Sequence, residues 1–306
     1  GTDAGTGPDA GTGTGTDTVT APDPATLRPM PLLLALLLLP LLAACENTAA
    51  VEQTRTQLRA VDYPRVQQLV EQDLSNHQSG VVKAADKLGP GFAVSDPSKR
   101  ESQLRSALRI LQEPKKGIDE FVASPMSFLA AVGLDGVVIA RDRDPDRMKG
   151  QDFKSRFDIV AQALGGAAAT GLGEFFAEDP TAPSSWSILF AAPSMRDGKV
   201  VGAVLAGIPL SRLAQRLSRQ FRVEKEEGAT VWVYLYKGDR LFNWDTPPEV
   251  DALVRDPVAR ARALAASPAG YSETARLQGE LQVYGVFPLA LLGPDLGTII
   301  FRTPAD

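Results

Sequence analysis

Residues 126–141 read Met-Ser-Phe-Leu-Ala-Ala-Val-Gly-Leu-Asp-Gly-Val-Val-Ile-Ala-Arg, and this stretch decides the fold class. Two apolar runs flank the Asp135-Gly136 pair, and an Asp-Gly pair in that position is a strong signal for a tight β-hairpin. The stretch therefore predicts a strand over Met126–Gly133 and an antiparallel return strand over Val137–Arg141. A sheet begins here, directly after a long segment whose periodicity is helical.

The segment before this hairpin has the spacing of apolar residues that is expected of helices. Over residues 46–90, valine and leucine recur at helical spacing, with glutamate, glutamine, arginine and aspartate on the other side. We expect the Gly-Pro-Gly sequence at 89–91 to end this helix. A second helix is expected to begin at Asp96, as its N-cap, with Pro97 in its first turn.

Further strands and helices follow the hairpin. Residues 165–183 are predicted to be a long loop with a helical turn around Glu174–Phe176. The other elements expected here are a helix over Asp158–Leu164, strands over Trp186–Ala192 and Val200–Ile208 around an Asp197-Gly198 turn, and a helix that opens at Pro209-Leu210.

The same order of elements recurs after the charged segment 224–228. The elements expected here are a hairpin of Thr230–Tyr236 and Arg240–Trp244, a helix over Glu249–Ala265, and strands over Tyr271–Leu277, Leu281–Phe287 and Gly297–Arg302. Hairpin, helix and returning strands thus occur twice, which indicates an internal repeat. The predicted fold class is α+β, with long N-terminal helices followed by two antiparallel-sheet lobes.

Composition and periodicity divide the chain into five parts. They are a low-complexity segment at 1–29, an apolar leader at 30–44, a helical stalk at 45–117, a first lobe at 118–223 and a second, smaller lobe at 224–306. The first part contains almost no apolar residues, so it cannot bury enough surface to order itself and is predicted to be disordered. This segment also carries −3 of the net charge of −5, so the rest of the chain is nearly neutral. The sequence shows no cluster of basic residues of the kind that binds nucleic acid.

Met30–Cys45 is the only long apolar run in the sequence, and it closes on the only cysteine. A membrane-spanning helix needs about 20 apolar residues, and this run is shorter. Pro40 interrupts the run, and small residues end it. These features are typical of a signal-peptide h-region with its cleavage site. The alternative is a short buried helix with an inert thiol. It is disfavoured because the run has no partly polar flank with which to pack as one side of a helix.

The last four residues of this run, Leu42-Ala43-Ala44-Cys45, resemble the lipobox of bacterial lipoproteins. The resemblance implies cleavage before Cys45 and a diacylglyceryl group on its sulfur, which makes membrane lipid a partner of the chain. It also implies a lipid-anchored protein of the cell envelope that faces the periplasm. Glu46 stands where an inner-membrane retention signal usually places aspartate, which favours the outer membrane.

Motifs for catalysis or for a metal are not evident. The single histidine, His77, has no cysteine or second histidine with which to share a metal, and the sequence lacks a nucleophile elbow, a Walker loop and a dinucleotide fingerprint. Asp142, Asp144 and Asp146 have the spacing of the first calcium ligands of an EF-hand, but they alternate with basic residues, so neutralisation is favoured over a metal. We therefore predict a protein that is not an enzyme and that needs no cofactor.

Three stretches resemble the Cache family of extracytoplasmic sensor domains. They are residues 132–141, the Gly-Gln-Asp-Phe sequence at 150–153, and residues 192–205 with their Gly-Lys-Val-Val-Gly motif. Residues 118–215 match well, and residues 229–303 match by element order, as in double Cache sensors. The resemblance implies two PAS-like lobes. It also implies a small-molecule pocket in the first lobe, between its sheet and the loop and helix that join its second and third strands. The Trp-Tyr and Tyr signature of amino-acid-binding members is absent, so the ligand class stays open.

Candidate ligand-binding residues combine one cation with aromatic and hydroxyl groups. They are Arg141, Phe153, Phe157, Ser185, Trp186 and Ser187. The alternative for these residues is ordinary core packing, with Arg141 paired to Asp142 or Asp158. Two functions remain open. One is a membrane-anchored sensor that binds a small ligand and signals to a separate membrane partner; the other is a structural or assembly lipoprotein that acts through protein contacts without a ligand.

Overall fold

The computed structural model describes residues 48–124, 127–176, 184–224, 230–243, 248–254, 256–277 and 279–304. The low-complexity segment 1–29, the leader 30–44 and the lipidation candidate Cys45 lie outside these ranges, so the expectations for them stay predictions. The boundaries of the stalk and the two lobes also stay predictions. In the described part of the chain, no helix is both long enough and apolar enough to cross a membrane.

A long helix opens the described chain. Residues 48–57 (α1) are α-helical, a π-helical turn follows over Leu58–Asp62, and α2 continues over Tyr63–Phe92. We call this helix, residues 48–92, the stalk helix. The prediction that it ends at Gly89-Pro90-Gly91 is wrong, because the helix continues through these residues to Phe92. Gly89 serves close packing instead, since a Cβ there would lie 2.7 Å from the carbonyl oxygen of Met195.

Two shorter helices lead from the stalk helix to the first sheet. They are α3, Pro97–Ile110, and α4, Asp119–Ala123. The expected cap of α3 is confirmed, because the side chain of Asp96 accepts a hydrogen bond of 2.8 Å from the backbone N–H of Lys99. Leu104 and Leu108 are buried, so the side of α3 that carries them packs against the core.

The first sheet contains five antiparallel strands in the order β2-β1-β5-β4-β3. Their bounds are β1 Phe128–Val132, β2 Val138–Arg141, β3 Ala169–Phe175, β4 Ser185–Arg196 and β5 Lys199–Pro209. The hairpin predicted at Asp135-Gly136 is present, and Gly136 has a φ of +86°, a backbone region that favours glycine. The turn predicted at Asp197-Gly198 joins β4 to β5.

The prediction of a loop over residues 165–183 is wrong for Ala169–Phe175, which forms the edge strand β3. The glycines that favour a loop in the sequence are instead required by packing. A Cβ at Gly171 would lie 2.8 Å from the side chain of Ile159, and one at Gly173 would lie 2.7 Å from the ring of Phe157. A helix and an aromatic ring therefore approach this strand closely.

The two faces of the first sheet pack against different parts of the chain. One face carries alternate residues such as Phe190 and Val204 and joins the core that the stalk helix completes. The other face carries the intervening residues such as Leu189 and Leu205 and is covered by α5, Asp158–Leu164, and by the loop before it. The candidate site lies on this second face, away from the stalk helix.

The second sheet repeats the topology of the first, with five antiparallel strands in the order β7-β6-β10-β9-β8. The helix α6, Leu210–Glu224, precedes it, and its strands are β6 Val231–Lys237, β7 Arg240–Phe242, β8 Tyr271–Leu277, β9 Glu280–Pro288 and β10 Leu296–Arg302. The internal repeat is confirmed at the level of strand order. The predicted α+β class with two antiparallel lobes is confirmed with it.

The helix predicted over Glu249–Ala265 is two helices, α7 over Pro248–Asp251 and α8 over Pro257–Ala266. The second begins at an Asp-Pro pair, like α3: Asp256 accepts hydrogen bonds from the backbone N–H groups of Val258 and Ala259 at 2.9 and 3.0 Å.

Candidate ligand-binding site

A cavity of about 350 Å³ lies at one end of the first sheet, on the face away from the stalk helix. Because the strands are antiparallel, the start of β1 and β4 and the end of β2, β3 and β5 meet there. The lining residues are Ser127, Phe128, Arg141, Arg147, Met148, Gln151, Arg156, Phe175, Phe176, Ser185, Ser187 and Pro209. We call this space the first-lobe cavity. It lies between the sheet and the loop that follows β2.

Arg141 is the last residue of β2, and its side chain is only 16% exposed. Its Nε lies 3.7 Å from an Asp142 carboxylate oxygen, so the pairing predicted from the sequence is present. That distance is too long for a hydrogen bond, and the buried Nε makes none with the described residues. The guanidinium also lies 6.0 Å from the ring centroid of Phe128.

Two further arginines, which sequence reasoning did not select, also line the cavity. Arg147 and Arg156 come from the loop between β2 and α5. The guanidinium carbon of Arg156 lies 5.2 Å from the ring centroid of Phe157 and 5.3 Å from that of Phe175, and its Nη2 donates to the carbonyl oxygen of Glu174 at 2.7 Å. These contacts fix the guanidinium against the aromatic wall of the cavity.

Phe153 and Phe157 support the cavity from behind and do not line it. Phe153 is completely buried, and its ring lies 5.2 Å from Phe157 and 6.1 Å from Phe175 between centroids. Phe175 in turn lines the cavity and makes an edge contact with Phe128 at 5.6 Å. These rings therefore form one cluster, with Phe153 and Phe157 in the core and Phe175 at the cavity.

The three candidates at the start of β4 are divided between the two faces of the sheet. Ser185 and Ser187 line the cavity. Trp186 lies between them in the strand, so its side chain points to the opposite face, where it packs against the core shared with the stalk helix. Its ring lies 4.4 Å from Nζ of Lys237 in the second sheet. Strand alternation thus separates Trp186 from the other candidates.

The structure resembles the ligand-binding parts of bacterial receptors. The sensory domain of the Campylobacter jejuni chemoreceptor Tlp3 with isoleucine bound aligns over 85% of this chain and 96% of that domain, with 15% identity and a TM-score of 0.52. The sensor domain of the Vibrio cholerae histidine kinase DctB aligns over 85% of this chain and 99% of that domain, with 11% identity and a TM-score of 0.51. The chain has a double Cache-like fold. No protein-family model and no curated protein matches the sequence.

In this Cache-like fold, Asp146 anchors the loop that carries Arg147, Met148 and Gln151. One carboxylate oxygen accepts hydrogen bonds from Arg105 Nη2 and from the backbone N–H of Arg141, both at 2.9 Å. The other accepts from the backbone N–H groups of Met148 and Lys149 at 3.2 and 3.0 Å. The loop is therefore held to β2 and to α3 by one buried carboxylate.

The aspartates of the 142–146 series are paired with bases, and the partners of Asp144 and Asp146 include two arginines of α3. Arg105 pairs with both Asp144 and Asp146, and Arg109 also pairs with Asp144. Sequence reasoning selected only the bases inside the loop, because the approach of α3 to this loop is a long-range contact. Among the described residues, no group of three or more histidine, cysteine, aspartate or glutamate side chains could hold a metal ion.

The charge of the first-lobe cavity decides what this Cache-like lobe can bind. Three arginines line it, and none of its described lining residues is acidic. The serines and Gln151 add neutral hydrogen-bonding groups. Guanidinium groups bind carboxylate and phosphate in a bidentate manner, so the arrangement suits a small anion with an apolar part against the phenylalanines.

A larger groove of about 680 Å³ lies on the other side of the β1–β2 hairpin, against the end of the stalk helix and the start of α3. Its charged lining residues are engaged with the protein itself. Lys149 donates to Glu101 at 2.6 Å and lowers the pKa of that carboxyl, and Arg100 donates to the carbonyl oxygen of Val94 at 2.8 Å. Unlike the first-lobe cavity, this groove has an acidic side chain, Glu101, among its lining residues.

Proposed function

We propose that the chain is a sensor domain whose first lobe binds a small organic anion and that it transmits the bound state to a separate membrane protein. The observation that carries the proposal is the set of three arginines, Arg141, Arg147 and Arg156, around a cavity whose described lining residues include no carboxylate. The double Cache-like fold supports it, because similar folds occur in a chemoreceptor and in a histidine kinase sensor.

The charge of the cavity favours a carboxylate without an amino group over an amino acid. An ammonium group needs acceptors, preferably an ionised carboxylate. The nearest candidates bind protein groups: Glu174 pairs with Ser184 and Arg240, and Asp146 accepts from Arg105. A mono- or dicarboxylate therefore fits this cavity better than the isoleucine that occupies the chemoreceptor domain.

Binding is tested with the full chain, purified in detergent, by thermal shift and then by calorimetry. We expect at least one small mono- or dicarboxylate to raise the Tm, because a ligand that binds only the folded state stabilises it. Arg141→Gln is expected to weaken that ligand by about 10- to 100-fold, since it removes a charge-assisted hydrogen-bond donor while keeping a side chain of similar length.

Arg196→Gln is the matched control. Arg196 is the last residue of β4, whereas the cavity residue Ser185 is the first, and the Arg196 side chain is half exposed. The substitution therefore removes the same charge at a position that does not line the cavity. Ligand affinity should stay within about twofold of the unmodified chain. A panel that gives no binding at millimolar concentration, with Arg141→Gln normally folded, contradicts the proposal and favours a structural or assembly lipoprotein that acts without a ligand.

Contacts between the two sheets supply a route by which the ligand's presence could reach the second lobe. Ser184 precedes the cavity residue Ser185, and Arg240 at the start of β7 donates to its hydroxyl and carbonyl oxygens. Glu174, which precedes the cavity residue Phe175, lies 3.6 Å from the same guanidinium. A ligand that shifts the ends of β3 and β4 would therefore act directly on the hairpin of the second sheet.

We also propose that Cys45 is lipidated and anchors the chain in the cell envelope, facing the periplasm, with the outer membrane favoured. The support is the apolar leader and its lipobox-like ending. Stable attachment needs more than one acyl chain, because a single chain binds membranes only marginally. Cells given radioactive palmitate should label the unmodified chain and not Cys45→Ser; equal labelling of both proteins, or of neither, contradicts lipidation at this residue.

A further inference from the structure

A second cavity, of about 360 Å³, lies on the other side of Ser127 from the first-lobe cavity. It is bounded by the stalk helix, by the chain between α4 and β1, and by the first half of α6. Its lining residues are Asp73, His77, Ser124, Ser127, Arg143, Ile208, Arg212, Leu213, Gln215, Arg216 and Arg219. We call it the junction cavity, because the stalk helix, the first sheet and the helix that leads to the second sheet all meet around it.

A buried polar cluster forms the inner wall of the junction cavity. The Asp73 carboxylate, which is almost fully buried, accepts a hydrogen bond from Ser124 and pairs with Arg216, both at 2.8 Å. Arg216 also donates to the hydroxyl of Ser124. The only carboxylate among the described lining residues is therefore already bound by the protein.

His77 is a further buried residue of this inner wall. Its Nδ1 lies 2.6 Å from the carbonyl oxygen of Asp73, its ring stacks on Phe190 at 5.3 Å, and the residue is 1% exposed. Burial lowers the pKa of His77 to about 4, so the ring is neutral at pH 7. Because Nδ1 donates to Asp73 and the ring is neutral, His77 adds no positive charge to the cavity, and the arginines supply all of it.

The positive charge of this cavity exceeds its negative charge. Its described lining residues include one carboxylate, that of Asp73, and four arginines: Arg143, Arg212, Arg216 and Arg219. Three of them follow each other at helical spacing along α6, and the fourth comes from the loop after β2. A guanidinium carries five donors in a planar fork, so contacts with the protein through one or two of them leave others for a ligand. From this geometry we propose that the junction cavity is a second anion site and that it binds a phosphate-type anion.

The number and placement of the donors favour phosphate over a single carboxylate. A carboxylate is planar and is satisfied by one or two guanidinium groups, whereas a phosphate offers oxygens in several directions and carries more charge. Guanidinium groups reach this cavity from two different elements, α6 and the β2–α5 loop. A bound phosphate would also extend the link that Arg216 already makes between α6 and Asp73 of the stalk helix.

The test measures binding of inorganic phosphate and of pyrophosphate to the full chain by calorimetry at pH 7.5. Arg212→Gln/Arg219→Gln should weaken both ligands by at least about 10-fold, because it removes two charged donors. The two side chains are exposed, so the variant should keep its Tm. Vesicles that contain phosphatidic acid serve as a third ligand; if they bind through the same two arginines while phosphate and pyrophosphate do not, the anion at this site is a lipid headgroup and the proposal of a soluble phosphate ligand is overturned.

Arg222→Gln/Arg262→Gln is the charge-matched control, because both arginines are exposed and neither lines the cavity. Its affinity for pyrophosphate should stay within about twofold of the unmodified chain. Arg141→Gln shows which cavity holds pyrophosphate, because it removes a donor of the first-lobe cavity only; a loss of pyrophosphate affinity equal to that of Arg212→Gln/Arg219→Gln also overturns the proposal. The proposal is overturned if the chain does not bind pyrophosphate at millimolar concentration, or if the control variant loses as much affinity as Arg212→Gln/Arg219→Gln.

Discussion

Phe153→Ala is expected to lower the free energy of unfolding by about 3 to 5 kcal/mol, the range for removing a fully buried phenylalanine side chain. Phe153 is 0% exposed and contacts the rings of Phe157, in the core, and of Phe175, which lines the first-lobe cavity. Its backbone N–H donates a hydrogen bond of 2.9 Å to the carbonyl oxygen of Gly136. This bond holds the backbone of residue 153 in place, so the surrounding side chains cannot fully fill the space that the missing ring leaves. Urea unfolding followed by circular dichroism measures the change.

Phe176→Ala is the matched control for the same kind of side chain. Phe176 lies on the same cavity but is 73% exposed, so its removal should change the free energy of unfolding by no more than about 0.5 kcal/mol. If Phe153→Ala does not fold, Phe153→Leu should fold with a smaller loss, because it keeps most of the buried apolar volume. Equal effects of the two alanine substitutions would contradict the assignment of Phe153 to the core and of Phe176 to the cavity surface.

Elements with a strong local signal could be predicted from the sequence, and those defined by packing could not. The β1–β2 hairpin has an Asp-Gly turn, and α3 has a capping aspartate followed by proline, so both signals are local. The edge strand β3 lacks such a signal. Its glycines at 171 and 173 resemble a loop, and only the nearness of Ile159 and Phe157 explains why small residues are needed there.

The candidate site was predictable to the same partial extent. Arg141 follows from its position at the end of a predicted strand, whereas Arg156 reaches the cavity through its contacts with Phe157 and Phe175 across a loop. The separation of Trp186 from its serine neighbours did have a sequence signal, because successive residues of a strand point to opposite faces. The junction cavity depends on contacts between α2, α6 and the β2–α5 loop, which are far apart in sequence.

Asp146→Ala is expected to lower the free energy of unfolding by about 2 to 4 kcal/mol and to weaken binding in the first-lobe cavity by at least about 10-fold. The side chain is 6% exposed and accepts four hydrogen bonds, three of them from backbone N–H groups of the cavity loop and of β2. Its loss leaves Arg105 without its buried partner and releases the loop that carries Arg147 and Gln151. Urea unfolding measures the first effect, and calorimetry with the carboxylate that raises the Tm most measures the second.

The neighbouring aspartate shows whether this effect comes from burial or from charge alone. Asp144 pairs with Arg105 and Arg109, but its side chain is 67% exposed, so Asp144→Ala should cost at most about 1 kcal/mol and leave ligand affinity within about twofold. Both variants remove one carboxylate from the same loop, but only Asp146→Ala removes a carboxylate that accepts hydrogen bonds from backbone N–H groups. If Asp144→Ala weakens the ligand as much as Asp146→Ala, the arginines of the cavity respond to the local field rather than to the position of the loop. Asp146 would then lose its role as a positioning residue.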